Sequence, residues 1–263
     1  MRSAGLALAL ALVTAVASAQ SPTTIQVRAA GAVAQAGSLT VSASARLATL
    51  ARAAAVRADA YILGAAWLRP SLQSSQTRLK AGLLYDLGVM RREAAAGGQP
   101  AMAELATRLR AMVDAMPVTG RKVGATLEPH ALQVTPQANL PLADGDVLYY
   151  PARPETVRVV GAVVQPCAVA HVGLRDARDY LAQCPPSALA DGDRLYVIEP
   201  DGHVFEQGIA TWNASPPMPV APGAVLYVPL SPGMLRLGAS RSFDRDMADF
   251  IATQPLDNPD IGP

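Results

Sequence analysis

The chain is short of the residue types that reactive and metal-dependent proteins concentrate. Its 263 residues include two cysteines and three histidines. His130, His171 and His203 are scattered, without the spacing a metal site needs, so no metal is expected. There is no Gly-x-Ser-x-Gly elbow, phosphate loop or dinucleotide fingerprint. No cofactor is therefore expected, and nothing favours serine catalysis. Charge is sparse too, with 16% charged residues and a formal net charge of +1. Removing the first 19 residues takes Arg2 with it and balances the remaining basic residues against the 21 acidic ones. A neutral chain without a basic stripe argues against nucleic acid and anionic membrane surfaces. The N-terminal apolar run, residues 6–16, is too short and too Ala-rich to span a membrane. Set between Arg2 and Ala17-Ser18-Ala19, it reads as a secretory signal peptide cleaved after Ala19. No cysteine follows that site, which argues against a lipid anchor.

What the chain does contain is a duplication. Residues 157–166 open a segment that closes at 220–229. The opening has a counterpart at Gly31-Ala32-Val33-Ala34-Gln35, and Gly31 recurs 130 residues later as Gly161. The closing has a counterpart at 142–151, and Pro151 recurs 78 residues later as Pro229. The difference, 52 residues, is extra sequence inside the first copy. The second copy predicts an α+β unit of order β-β-α-β-β-β, that of a β-grasp. Residues 157–164 are rich in β-branched residues and end at Gln165-Pro166. Residues 167–172 form a second strand. Residues 174–184 follow helical spacing, with Leu174, Ala177 and Leu181 on one face, before Pro185-Pro186. Strands at 193–199 and 203–208 flank Pro200-Asp201-Gly202, and 224–228 is the last strand. In the first copy, 26–35 is the opening strand and 42–56 the helix, with Leu47, Leu50 and Ala54 inward.

The extra residues read as a helical hairpin over about 71–117. Ser71 is a candidate cap. Leu72, Leu79, Leu83, Leu87 and Met90 form one stripe. Gly97-Gly98-Gln99-Pro100 is the break. Met102, Leu105, Leu109, Met112 and Met116 form a second seam. The hairpin either docks a partner or caps the first module's sheet. The predicted domains are the leader 1–19, a first module 20–155, a second module 156–230 and a tail 231–263. In the tail, about 242–253 is an amphipathic helix with Phe243, Met247, Phe250 and Ile251 on one face and Asp244, Arg245, Asp246 and Asp249 on the other. At about 18 Å it is too short for a hydrocarbon core of about 30 Å, so no transmembrane span is expected.

Three segments carry a family resemblance: Thr119-Gly120-Arg121 followed by Leu127-x-Pro129, Val159-Val160-Gly161-Ala162-Val163, and Thr211-Trp212-Asn213 followed by prolines. In that order, with the leader, hairpin and terminal helix, the chain resembles the periplasmic GfcC-like capsule-biosynthesis family over nearly all its mature length. That family is similar to the soluble-ligand-binding β-grasp (SLBB) modules of outer-membrane polysaccharide-export proteins. The resemblance implies a periplasmic role in making or exporting capsule or exopolysaccharide, with no known cofactor. The leading expectation is an accessory protein that binds capsular or extracellular polysaccharide or an outer-membrane export protein. Docking of the terminal helix back onto the modules would make it a monomer. A carbohydrate-modifying enzyme and a structural subunit of the export channel are the alternatives. Arg121, beside Lys122 and behind a flexible Thr119-Gly120 pair, is expected to present a donor fork to sugar hydroxyls or a uronate. Trp67 and Trp212 are candidate stacking surfaces, although a lone Trp is more often core. Asp144/Asp146 and Asp191/Asp193 read as turn chemistry. In a β-grasp the first turn and the helix end lie together, so Cys167 and Cys184 are expected to form a disulfide in an oxidising compartment.

Overall fold

The computed structural model describes residues 23–256. The leader and residues 257–263 lie outside the described residues. The first module runs β1 (Thr24–Gly31), β2 (Gly37–Ser42), α1 (Leu47–Ala54), a 3-10 turn (Ile62–Gly64) and β3 (Ala66–Leu68). It then continues through α2 (Pro70–Ala96), α3 (Pro100–Ala115), α4 (Pro129–Val134) and β4 (Val147–Tyr150). The second module runs β5 (Thr156–Gly161), β6 (Cys167–Ala170), a 3-10 helix (Ala177–Ala182), β7 (Arg194–Ile198), β8 (Val204–Gly208) and β9 (Val225–Val228). Then come α5 (Pro232–Leu235) and α6 (Phe243–Ala252).

The sheets are ordered β2-β1-β4-β3 and β6-β5-β9-β7-β8. This is an α+β architecture of two tandem β-grasp modules. The duplication holds to the residue. β1 and β4 are parallel with Arg28 opposite Val147, and β5 and β9 are parallel with Arg158 opposite Val225. Gly31 and Gly161 end the two opening strands at φ +85° and +101°. A Cβ at either would strike the carbonyl of its partner, Tyr150 or Val228, so both must be glycine. β2, which has no counterpart in the sequence-based assignment of 26–35 as strand and 42–56 as helix, alternates outward Ser38 and Thr40 with half-buried Leu39 and Val41.

The modules differ after the third strand. In the second, β7 turns back into β8. In the first, β3 leaves into α2 and α3, and one bridge between Leu68 and Arg121 stands in the place of a fifth strand. Pro70 opens α2 as its first residue, so Ser71 does not cap it. The hairpin packs neither on the first module's sheet nor outward as an arm. Leu83, Leu87, Met90, Leu105, Leu109 and Val113 belong to the same core as the second sheet and α6. Arg108 of α3 donates to Val164 O at 3.0 Å and to Val163 O at 2.5 Å, in the turn after β5. Of the stripe and seam residues expected from sequence, Leu83, Leu87, Met90, Leu105 and Leu109 are buried in the core shared with the second module, and Leu72, Leu79, Met102, Met112 and Met116 are half-buried.

Two local readings are corrected. Residues 177–182 form a 3-10 helix, whose threefold period buries Ala177 and Tyr180. The Tyr180 hydroxyl accepts from Val172 N at 2.9 Å and donates to Val172 O at 3.2 Å, fixing the short segment. Leu174 instead lies 88% exposed, with φ 61°. In α6, Phe243, Met247, Phe250 and Ile251 are buried against the second module. Asp244 is buried with them and not on the outer face. It accepts from the Tyr227 hydroxyl at 2.7 Å and from Leu230 N at 3.0 Å. Cys167 and Cys184 are joined as a disulfide, their Cα atoms 6.2 Å apart, tying β6 to the end of the 3-10 helix. No described helix is long and apolar enough to cross a membrane.

Phe250 is fully buried where hairpin, sheet and α6 meet. Phe250→Ala is expected to lower unfolding stability by about 3–5 kcal/mol, read by urea titration. A loss below about 1 kcal/mol would show that α6 is only loosely docked.

Candidate functional site

Arg121 is not on the surface. It is 3% exposed, and its guanidinium is committed to backbone carbonyls from three parts of the chain. Nη1 donates to Ala252 O at 3.2 Å and to Gln254 O at 3.1 Å, in the tail. Nη2 donates to Ala65 O at 3.4 Å in the first module and to Pro200 O in the β7–β8 turn. Burial pushes this group down to about 10, an effect that nearby Asp201 opposes, so it stays charged at neutral pH. Gly120 before it is not a hinge. It is buried at φ +73°, and its N–H donates to Gln76 Oε1 at 2.7 Å. Gln76 in turn donates to Arg121 O at 3.0 Å. Thr119 Oγ1 donates to Thr253 O at 2.7 Å. The Thr119-Gly120-Arg121 segment therefore rivets α2, the second module and the tail together, and no terminal donor of the fork is left to face a sugar.

Beside this rivet, a cleft of about 330 Å³ opens between hairpin end, inter-module linker and tail. Met116 and Pro117 close the hairpin side, Pro154 the linker side, and Ile251 and Leu256 the tail side. Arg158 and Thr156 of β5 project into it, both exposed. Arg158 is the one charged residue lining the cleft, and its side chain has no hydrogen bond or ion pair to any described residue. A narrow annex behind it, about 10 Å³, reaches Arg121 and Glu199. Burial pushes the Glu199 carboxyl up to about 7, and Ala221 N donates to it at 3.2 Å. Nearby, Tyr61 donates its hydroxyl to Pro222 O at 2.9 Å and is pushed up to about 12 by burial.

The other candidates are dispersed. Trp67 is fully buried beneath the Arg69 guanidinium, 4.2 Å from its ring, and offers no face to a ligand. Lys122 is exposed, and its backbone N–H donates to Trp67 O at 2.7 Å. Trp212 is 77% exposed, and its indole N–H donates to Asp193 Oδ1 at 3.3 Å, so the ring is a tethered aromatic surface. Asp193 precedes β7 and Pro200 follows it, which sets Trp212 and Arg121 about 20 Å apart along the strand. The paired aspartates hold backbone: Asp146 accepts from Ala143 N and Asp191 from Asp193 N within their turns, both at 2.8 Å, and Asp144 accepts from Gln26 N of β1 at 2.8 Å. Arg158 and Glu199 were missed from sequence. Arg158 was accessible in principle, because Thr156-Val157-Arg158-Val159 alternates and Arg28 holds the same place one repeat earlier.

Tandem β-grasp modules with a shared helical hairpin, riveted by a buried arginine beside an open cleft, define a two-module scaffold with a ligand-sized seam. The capsule biosynthesis GfcC N-terminal model matches residues 21–153, and the GfcC C-terminal model matches residues 165–254. The chain belongs to the GfcC family of capsule biosynthesis. It is also similar to the uncharacterized protein YjbG of Escherichia coli (strain K12), 29% identical over 173 residues, covering 64% of this chain and 69% of the relative.

Arg121→Met would strip the donors from four carbonyls. It is expected to lower stability by about 3–5 kcal/mol, seen as a depressed melting temperature. An unchanged melting temperature with lost ligand binding would return Arg121 to a recognition role. Glu199 titrates with a sign opposite to that of an ion-paired acid. Its ordinary value is 4.5 and its folded value about 7, so the folded protein holds a proton that the unfolded chain releases. Stability should therefore fall as pH rises through that window and level off above it. In Glu199→Gln that part of the slope should vanish, and identical pH–stability curves for the two proteins would contradict the assignment.

Proposed function

We propose that this protein is a periplasmic, monomeric accessory of capsule or exopolysaccharide assembly and export, which binds the polysaccharide and hands it to an outer-membrane export protein. The single observation that carries the reading is the seam cleft: its apolar walls and one unpaired guanidinium are the composition of a binding site. Family membership supplies the context of capsule biosynthesis. The leader at 1–19 and the Cys167–Cys184 disulfide support export to an oxidising compartment. Trp212 and Lys122 are exposed and free to add contacts along a polymer.

One observation favours a second reading. The raised carboxyl of Glu199, in the annex of the same cleft, is the sort of group a carbohydrate-modifying enzyme would use as an acid or base. The two readings separate in the native host. Deleting the gene should reduce cell-surface polysaccharide, and immobilised wild-type protein should retain the host's own purified polymer. Normal surface polymer in the deletion strain together with no retention would contradict the proposal. A Glu199→Gln chain should restore output if the protein binds, and should fail to restore it if the protein is an enzyme.

A further inference from the structure

We infer that the seam cleft takes a carboxylated sugar of an acidic polysaccharide, with the Arg158 guanidinium as the partner of the carboxylate. This rests on the polymer-binding reading above and narrows it to a charge class and a residue. Arg158 stands on β5 between two buried neighbours, Val157 and Val159, so its backbone is fixed by the parallel ladder to β9. Its donors have no partner among the described residues, and it is the one charged residue lining the main cleft, while Arg121 and Glu199 lie in the annex behind. A planar fork of this kind matches a carboxylate two bonds at a time. One cation neutralises a monoanion. A phosphate monoester, close to doubly charged at neutral pH, would call for a second cation, and none lines the cleft among the described residues.

The remaining lining suits a pyranose. Met116, Ile251 and Leu256 give apolar walls for the C–H face of a ring. The Thr156 hydroxyl can donate or accept. The Gln254 amide donates to Pro117 O at 3.2 Å and to Thr253 Oγ1 at 2.9 Å, which fixes the side chain and leaves Oε1 to accept from a sugar hydroxyl. Ala115, Pro117, Thr156 and Arg158 are all exposed along the rim, so a chain can enter and leave the cleft sideways, as a polymer must. The Arg121 cation behind the cleft is consumed by carbonyls and does not compete for the carboxylate. Glu199 faces the annex with its charge diminished by burial, which limits repulsion of an anion.

The test titrates the full mature chain with trigalacturonate and with its methyl ester, the same rings without charge, by calorimetry. The acid should bind, and the ester should bind about 10-fold to 100-fold more weakly. Arg158→Gln should show the same loss toward the acid, and Arg158→Lys should recover part of it. The exposed position of Arg158 makes both variants compatible with folding, which an unchanged melting temperature checks. Equal binding of acid and ester, or undiminished binding by Arg158→Gln, overturns the inference, while retention of the host's polymer would still uphold the broader reading. No binding of either saccharide also overturns it, and host-polymer retention then decides the broader reading alone. Displacement of the acid by equimolar inorganic phosphate would mark an unselective anion site and overturn it as well.

Discussion

Four backbone carbonyls converge on one buried guanidinium, and the rest of the architecture depends on that convergence. The carbonyls of Ala65, Pro200, Ala252 and Gln254 come from the first module, the second module and the tail. Among the described residues, no backbone N–H outside the helices and strands donates to any of them. Burying a cation is costly, and the cost is offset only because its terminal donors are matched and Asp201 stands near. Arg121 is also the residue at which the hairpin returns to β3. The inserted helices, the second module and the terminal helix are thereby held in one relation, and the seam cleft exists because they are.

The duplication explains how such a seam arose from two similar parts. Each module buries one face of its sheet with its own short helical segment, as Leu47 and Leu50 do in the first and Ala177 and Tyr180 in the second. The second sheet has a further strand, β8, and the first has the hairpin in that place. The hairpin's apolar faces are larger than the first module needs. They are completed by the second sheet and by α6, so the core of one module contains part of the other. With the hairpin fixed there, its end at Met116 and Pro117 becomes a wall of the cleft, and β5 offers Arg158 from the other side.

Much of this was written locally and could be read. β-branched alternation and the two repeat offsets located the sheets, and the spacing of Leu105 and Leu109 located a buried seam. Local pattern shows that a face is covered but not by what, which is why the hairpin's partner was missed. Residues 174–184 were ambiguous because apolar positions three and four apart suit a 3-10 segment and an α-helix alike. Asp244 and Arg121 misled for a shared reason. A charge is visible in sequence, whereas the hydroxyl of Tyr227 or the carbonyls of Ala65 and Ala252 that satisfy it are distant along the chain. The candidate site shifted accordingly, from the arginine that holds the seam to the one that faces it. Trp212 was legible as a candidate stacking surface, and it is exposed with its indole N–H bonded to Asp193.

The first module's sheet has its own core, but its hairpin is part of the second module's core, so the central claim is that the two modules unfold together. Scanning calorimetry of the mature chain tests it most directly. One transition is predicted, with calorimetric and van't Hoff enthalpies equal. Two resolved transitions, one of them carrying the second module while the hairpin stays folded with the first, would contradict the account.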